Sequence, residues 1–220
     1  MILSKSMMYD AVTKSLLPVY RERNDYCRYR ALELAAEEIY KKPVEGSVAE
    51  AGVALGEFAQ ILNRLFHDRK LYLYDTFEGF NEGDKNKELE MGYTSTTWFE
   101  EAKDFKCLGD ANKNIEAVRK KMTRKENCVF RKGYFPDSAA GEDKEKFAFV
   151  SVDMDLYEPI YNALKFFYPR LTPGGYIFLH DYNHYEFKGV KVAVEKFERE
   201  NGCLHKVPLP DAGGTLIISK

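Results

Sequence analysis

Four acidic residues stand at the ends of short apolar runs: Glu50 in 47–51, Asp75 closing 70–75, Asp153 after 147–152 and Asp181 after 176–179. One such acid is ordinary. Four gathered on one edge repel one another unless a cation or ligand hydroxyl groups compensate. Asp153 and Asp181 end successive runs, and neighbouring parallel strands lie about 5 Å apart, so the two carboxylates could share one hard cation such as Mg²⁺. His180 is a third candidate ligand beside Asp181. Strand alternation sends the two side chains to opposite sides unless the backbone turns there. Asp75 is placed to accept hydrogen bonds from the ribose hydroxyls of an adenosine-containing cofactor.

The first acid leads into Glu50-Ala51-Gly52-Val53-Ala54-Leu55-Gly56. Gly52 and Gly56 allow a tight turn and close backbone approach before a helix. The loop departs from the GxGxxG fingerprint that cradles a pyrophosphate. It suits a cofactor without phosphate, S-adenosylmethionine, better than a nicotinamide dinucleotide.

The elements that must position these residues alternate. Residues 7–40 read as helix, with Ala31, Leu32, Leu34, Ala35 and Ile39 near helical spacing. Strands are expected at 47–51, 70–75, 127–131, 147–152, 176–179, 204–207 and 215–219, and helices at 57–67, 160–171 and 190–200. This alternation implies an α/β fold with a mostly parallel seven-stranded Rossmann-like sheet covered on both faces. The last two strands, joined by a short Pro/Gly loop, suit an antiparallel hairpin. Residues 78–109 break the pattern and carry Phe80, Tyr93, Trp98, Phe99 and Phe105. An insertion after the second strand would sit over the carboxyl ends of the strands, as a lid. Length favours one domain over 1–220, with 1–45 as an N-terminal helical segment.

A net charge of -2 leaves no electrostatic footprint for a nucleic-acid or membrane partner. Residues 1–10 lack the apolar core of a signal peptide. Cys27, Cys107, Cys128 and Cys203 show no CxxC spacing, which fits reduced thiols in a cytoplasmic protein. Met7, Met8, Val12, Leu16, Leu17 and Val19 would cover either the chain's own sheet or a second copy in a homodimer.

VDMDLYEP (152–159), YPRLTPGGYIFLHDYN (168–183) and GVKVAVEKF (189–197) resemble the macrocin O-methyltransferase family, whose members methylate sugar hydroxyls on macrolides and aminocoumarins. VAEAGVALGEFA (48–59) and LYDTFEGF (73–80) match its cofactor loop and the segment after its second strand, and Gly133-Tyr134-Phe135-Pro136 its turn after the third. The match covers roughly 45–200. It implies a class I methyltransferase fold and an S-adenosylmethionine-dependent, Mg²⁺-assisted O-methyltransferase acting on a small-molecule hydroxyl. Glu50, Gly52, Gly56, Asp75, Thr76 and Phe77 would hold the cofactor. Asp153, His180 and Asp181 would hold the metal, and Asp153 would also act as catalytic proton acceptor. His180 stands where the family has an acid. Imidazole is a poorer Mg²⁺ ligand than carboxylate, which shifts preference toward a different divalent ion. His184, just past the last of these strands, is an alternative general base, whereas His67 and His205 read as structural. Two other functions are open: a catalytically silent module that binds S-adenosylmethionine, and a nicotinamide-dependent oxidoreductase.

Overall fold

The computed structural model describes residues 25–101 and 110–220. Among these, strands β1 (Ser47–Ala51), β2 (Leu71–Asp75), β3 (Cys128–Lys132), β4 (Phe147–Val152), β5 (Leu171–Leu179), β6 (His205–Pro208) and β7 (Leu216–Ser219) form one sheet. Its order is β3-β2-β1-β4-β5-β7-β6. The first five strands pair in parallel, and β7 runs antiparallel to both β5 and β6. The expected parallel sheet and its closing antiparallel hairpin are both present.

Helices α1 (Tyr26–Lys41), α2 (Ala59–Leu65), α3 (Glu82–Glu90), α4 (Thr96–Glu101), α5 (Ala111–Lys121), α6 (Tyr157–Arg170) and α7 (Lys188–Asn201) surround the sheet. Leu71 and Leu73 of β2 pack on one side with α1, α2 and α5, while Tyr72 and Tyr74 pack on the other with α6 and α7. The two-residue period of a strand sends successive side chains to opposite cores. Strands β1 and β4 are buried at every position. Burial on both faces is why 147–152 is a nearly unbroken apolar run.

Several boundaries differ from the spacing. Helix α1 runs through the described part of 7–40 and ends one residue later, at Lys41, whereas residues 1–24, with their candidate dimer-forming side chains, lie outside the described residues. Strand β5 reaches back through Thr172-Pro173-Gly174-Gly175 because Leu171 pairs with Phe147, across a register shift before Phe149. Helix α6 starts at Tyr157, whose N–H donates to Glu88 Oε1 at 2.6 Å. Pro159 is tolerated in that first turn, where a backbone N–H has no intrahelical partner.

Helices α3, α4 and α5 occupy stretches in which spacing indicated no element. Two are fixed by caps. Asn81 accepts from Gly83 N at 2.8 Å and Asp84 N at 3.4 Å, and Asp110 accepts from Asn112 N at 2.9 Å and Lys113 N at 3.3 Å. Such caps satisfy donors that the first helical turn leaves open. Residues 102–109 of the expected lid are outside the described residues, as is Cys107. Cys27, Cys128 and Cys203 are free thiols. No helix among the described residues is long and apolar enough to cross a membrane.

Candidate active site

Strand β1 lies between β2 and β4, so the strand order reverses there, with β2 and β3 to one side and β4 and β5 to the other. Ligands of open α/β sheets bind in the crevice at the carboxyl ends of strands at such a point. Backbone bonding continues one residue past the strands there. Gly52 N donates to Tyr74 O at 2.9 Å, Asp153 N to Ala51 O at 2.8 Å and His180 N to Val152 O at 2.9 Å. The result is a row of residues along one edge of the sheet. A cleft of about 480 Å³ opens beside it, lined among others by Gly52, Asp75, Thr76, Phe80, Tyr134 and Asp153.

The glycine loop is held by Asp75. Its Oδ2 accepts from Val53 N at 2.7 Å and Ala54 N at 2.9 Å, and its Oδ1 accepts from Phe77 N at 2.6 Å. A carboxylate has about four acceptor sites, so with three N–H donors in place about one remains for a ligand hydroxyl. Gly52 has φ +88°, and a Cβ there would lie 1.8 Å from the Asp153 carbonyl oxygen. Only glycine fits that approach. Thr76 Oγ1 donates to Gly79 O at 2.7 Å and shapes the turn into the insertion. Phe77 turns its ring into the core, fully buried, and its carbonyl accepts from Asn114 Nδ2 at 2.8 Å. Gly56 backs onto Val118 of α5. Phe77 and Gly56 thus support the loop from behind, whereas Gly52, Asp75 and Thr76 line the cleft.

Polar side chains gather behind Gly52. Asp181 has φ +59°, and this left-handed turn brings His180 and Asp181 to the same side despite strand alternation. His180 Nδ1 lies 3.1 Å from Asp153 Oδ1 and 3.0 Å from Asp181 Oδ2, squarely hydrogen-bonded to neither. Arg28 Nη2 of α1 lies 3.1 Å from Asp153 Oδ2. Burial, the largest influence on Asp153, favours its neutral acid, but His180 and Arg28 outweigh it and hold the carboxyl well below the usual range. Burial also disfavours charge on His180, yet Asp153 prevails and lifts the imidazole to about 10. Glu50 is raised well above its ordinary value by burial and then by the Asp153 charge. Asp155 is raised likewise, by burial and the adjacent Asp181.

Asp153, His180 and Asp181 offer donor atoms that lie within 4.8 Å of one another. Fit to a divalent ion is nevertheless poor. Both Asp153 oxygens already face a positive group, and the His180 ring nitrogen stands about 3 Å from one oxygen of each carboxylate, in the space a bridging ion would take. Mg²⁺ in addition favours oxygen donors in near-octahedral array over imidazole.

His184 stands apart. Its Nδ1 accepts from Glu186 N at 3.3 Å, and its ring stacks on Tyr185. The lone pair a general base would use is thereby engaged. His67 stacks on Tyr40, and His205 lies on the edge strand β6.

Arg28 and Asp155 went unrecognised in the sequence. Arg28 was the more legible of the two, because Arg28, Leu32, Ala35 and Ile39 share one helical stripe and all are buried. The aromatic part of the insertion also converges on the site: Trp98 packs against Phe80 (ring centroids 5.7 Å apart) and Phe187 (4.7 Å), and Phe80 and Phe99 line the cleft.

One relative is an 8-demethyl-8-(2,3-dimethoxy-alpha-L-rhamnosyl)-tetracenomycin-C 4'-O-methyltransferase of Streptomyces olivaceus, 29% identical over 69% of this chain and 58% of its own length. The match thus spans under two thirds of that protein. A mycinamicin III 3''-O-methyltransferase of Micromonospora griseorubida is 27% identical over 85% of this chain and 74% of its own length. The O-methyltransferase NovP shares the fold with a TM-score of 0.74 at 18% identity, covering 98% of both chains. The calicheamicin methyltransferase CalS11 does so with a TM-score of 0.68 at 18% identity, covering 100% of this chain and 93% of its own. The model of the macrocin-O-methyltransferase (TylF) family matches residues 25–215, and the chain belongs to that family.

Proposed function

We propose that this protein transfers the methyl group of S-adenosylmethionine to a hydroxyl of a small molecule, and that the acceptor hydroxyl is on a sugar. The observation that carries the cofactor reading is the buried Glu50 carboxyl group, whose Oε2 has no hydrogen-bond partner, behind a loop in which only glycine fits. An unsatisfied buried acceptor is costly. A cationic ligand such as the methionyl ammonium group would satisfy it. Asp75 faces the cleft with acceptor capacity for a ribose hydroxyl, and no phosphate-binding fingerprint accompanies it. The sugar acceptor is supported by the relatives, two of which are named for methylation of glycosylated antibiotics.

Bound in the cleft, S-adenosylmethionine supplies an already electrophilic methyl group. The chain's task is then alignment and proton removal. Alignment by a shaped cleft can account for roughly 7–11 kcal/mol of barrier lowering. Asp153 lines that cleft and stays ionised, so it is available to receive the hydroxyl proton. A weakly basic carboxylate suffices, because the acceptor oxygen becomes strongly acidic as its bond to carbon forms. Arg28 and His180 hold that carboxylate in place. The charges of Arg28 and His180 stand where a metal would otherwise act on that carboxylate.

Incubation with S-adenosylmethionine and a panel of nucleotide-linked deoxysugars and sugar-bearing natural products tests this reading. Mass spectrometry is expected to find one added methyl group on a sugar hydroxyl, and none when that hydroxyl is already methylated. Transfer confined to non-sugar hydroxyls would overturn the acceptor assignment. Cofactor binding without transfer to any acceptor would mark a silent binding module.

A further inference from the structure

We propose that Arg28 is the resident cation of this site, holding Oδ2 of Asp153 while His180 stands against Oδ1, so that the protein works without a divalent metal ion. The inference rests on the methyltransferase reading and concerns how its anionic site is neutralised.

Arg28 is 4% exposed and is held from several sides. Its Nη2 contacts Asp153 Oδ2 at 3.1 Å and Ser151 Oγ at 3.4 Å, and its Nη1 lies 3.9 Å from Asp25 Oδ2. The guanidinium carbon sits 4.1 Å from the centroid of the Phe58 ring, a cation–π stack. Ser151 lies in β4, Phe58 just beyond the glycine loop, and Asp25 immediately before α1. A helix and the sheet edge thus fix the cation jointly. A guanidinium never loses its proton under ordinary conditions. Its charge on Asp153 is therefore permanent, and a metal approaching that oxygen would meet a like charge. His180 reinforces the arrangement by filling the gap between Asp153 and Asp181, where bridging ligands would converge. Arg28 acts through Asp153 as a positioning residue: it orients the carboxylate that faces the cleft.

Calorimetric titration of Mn²⁺ into the full-length protein, Arg28→Met and Arg28→Met/Asp153→Asn tests the proposal, with S-adenosylmethionine titrated into each sample. Wild type is expected to bind the cofactor, to show no saturable Mn²⁺ binding, and to retain transfer in excess chelator. Arg28→Met is expected to gain one saturable Mn²⁺ site that the double variant loses. In the absence of metal its kcat should fall on the order of 100-fold while the cofactor Kd changes far less. A packing role alone would create no metal site. Saturable Mn²⁺ binding to wild type that Asp153→Asn removes would overturn the proposal, as would a folded Arg28→Met that gains none. Should Arg28→Met fail to fold, the wild-type titration decides alone: absence of the Asp153-dependent site upholds the proposal and its presence overturns it. Failure of wild type to bind S-adenosylmethionine would instead sink the underlying methyltransferase reading.

Discussion

Gly52→Ala is expected to abolish S-adenosylmethionine binding and to destabilise the protein by about 3 kcal/mol. Two costs combine. The residue has φ +88°, where a side chain is strained. In addition, its new methyl group would lie 1.8 Å from the Asp153 carbonyl oxygen, a backbone atom that can yield only if the edges of β1 and β4 separate. Separation would displace both the loop clamped by Asp75 and the carboxylate of Asp153. Gly141→Ala separates the two costs, because Gly141 has φ +90° with nothing within 4 Å of the added carbon. Urea unfolding should show a small loss for Gly141→Ala and a much larger one for Gly52→Ala. Equal losses would mean that the close approach at Gly52 contributes nothing.

Asp153→Asn is expected to lower kcat on the order of 1000-fold, with a much smaller change in cofactor affinity. The amide cannot receive the acceptor proton. It also leaves Arg28 and His180 without their principal counter-charge. Stability should fall as well, by less than the about 3–5 kcal/mol that breaking a fully buried ion pair costs, because the Asp153 side chain is partly exposed at the cleft. Single-turnover measurement at saturating cofactor separates the two effects: the transfer step should be slow even in molecules shown to be folded by circular dichroism. Near-normal transfer by Asp153→Asn would remove Asp153 from the chemistry and leave it a structural anion.

The parts of this site legible in the sequence are those fixed by position along a strand. Glu50, Asp75 and Asp153 follow apolar runs whose length and alternation define strand ends, and the sheet places them on one edge. Their partners are supplied by tertiary packing. Arg28 comes from a helix more than 100 residues away in sequence, and its contact with Asp153 depends on how α1 lies across the sheet. His180 is an instructive intermediate case. Alternation along a strand argued against His180 and Asp181 sharing a site, and the single left-handed residue at Asp181 reverses that argument. Helix α5 was obscured by charge, since most of its residues are polar and its apolar inward face is limited to Ala111, Ile115, Val118 and the following Met122, with the polar Asn114 buried among them. Its clearest sequence signal was the cap at Asp110, not its periodicity. Thr76 and Phe77 show a further limit. Adjacent in sequence and matched by the same family motif, they are separated by the fold, one at the cleft and the other in the core.

Calorimetric titration of S-adenosylmethionine into wild type and Asp75→Ala is the most direct measurement of the central claim, that the cleft at the end of β1 is a cofactor site. Wild type should bind one equivalent saturably, and Asp75→Ala, which loses both the ribose acceptor and the clamp on Val53 and Ala54, should bind at least about tenfold more weakly. Absence of binding to wild type, or equal affinity in the variant, would contradict it.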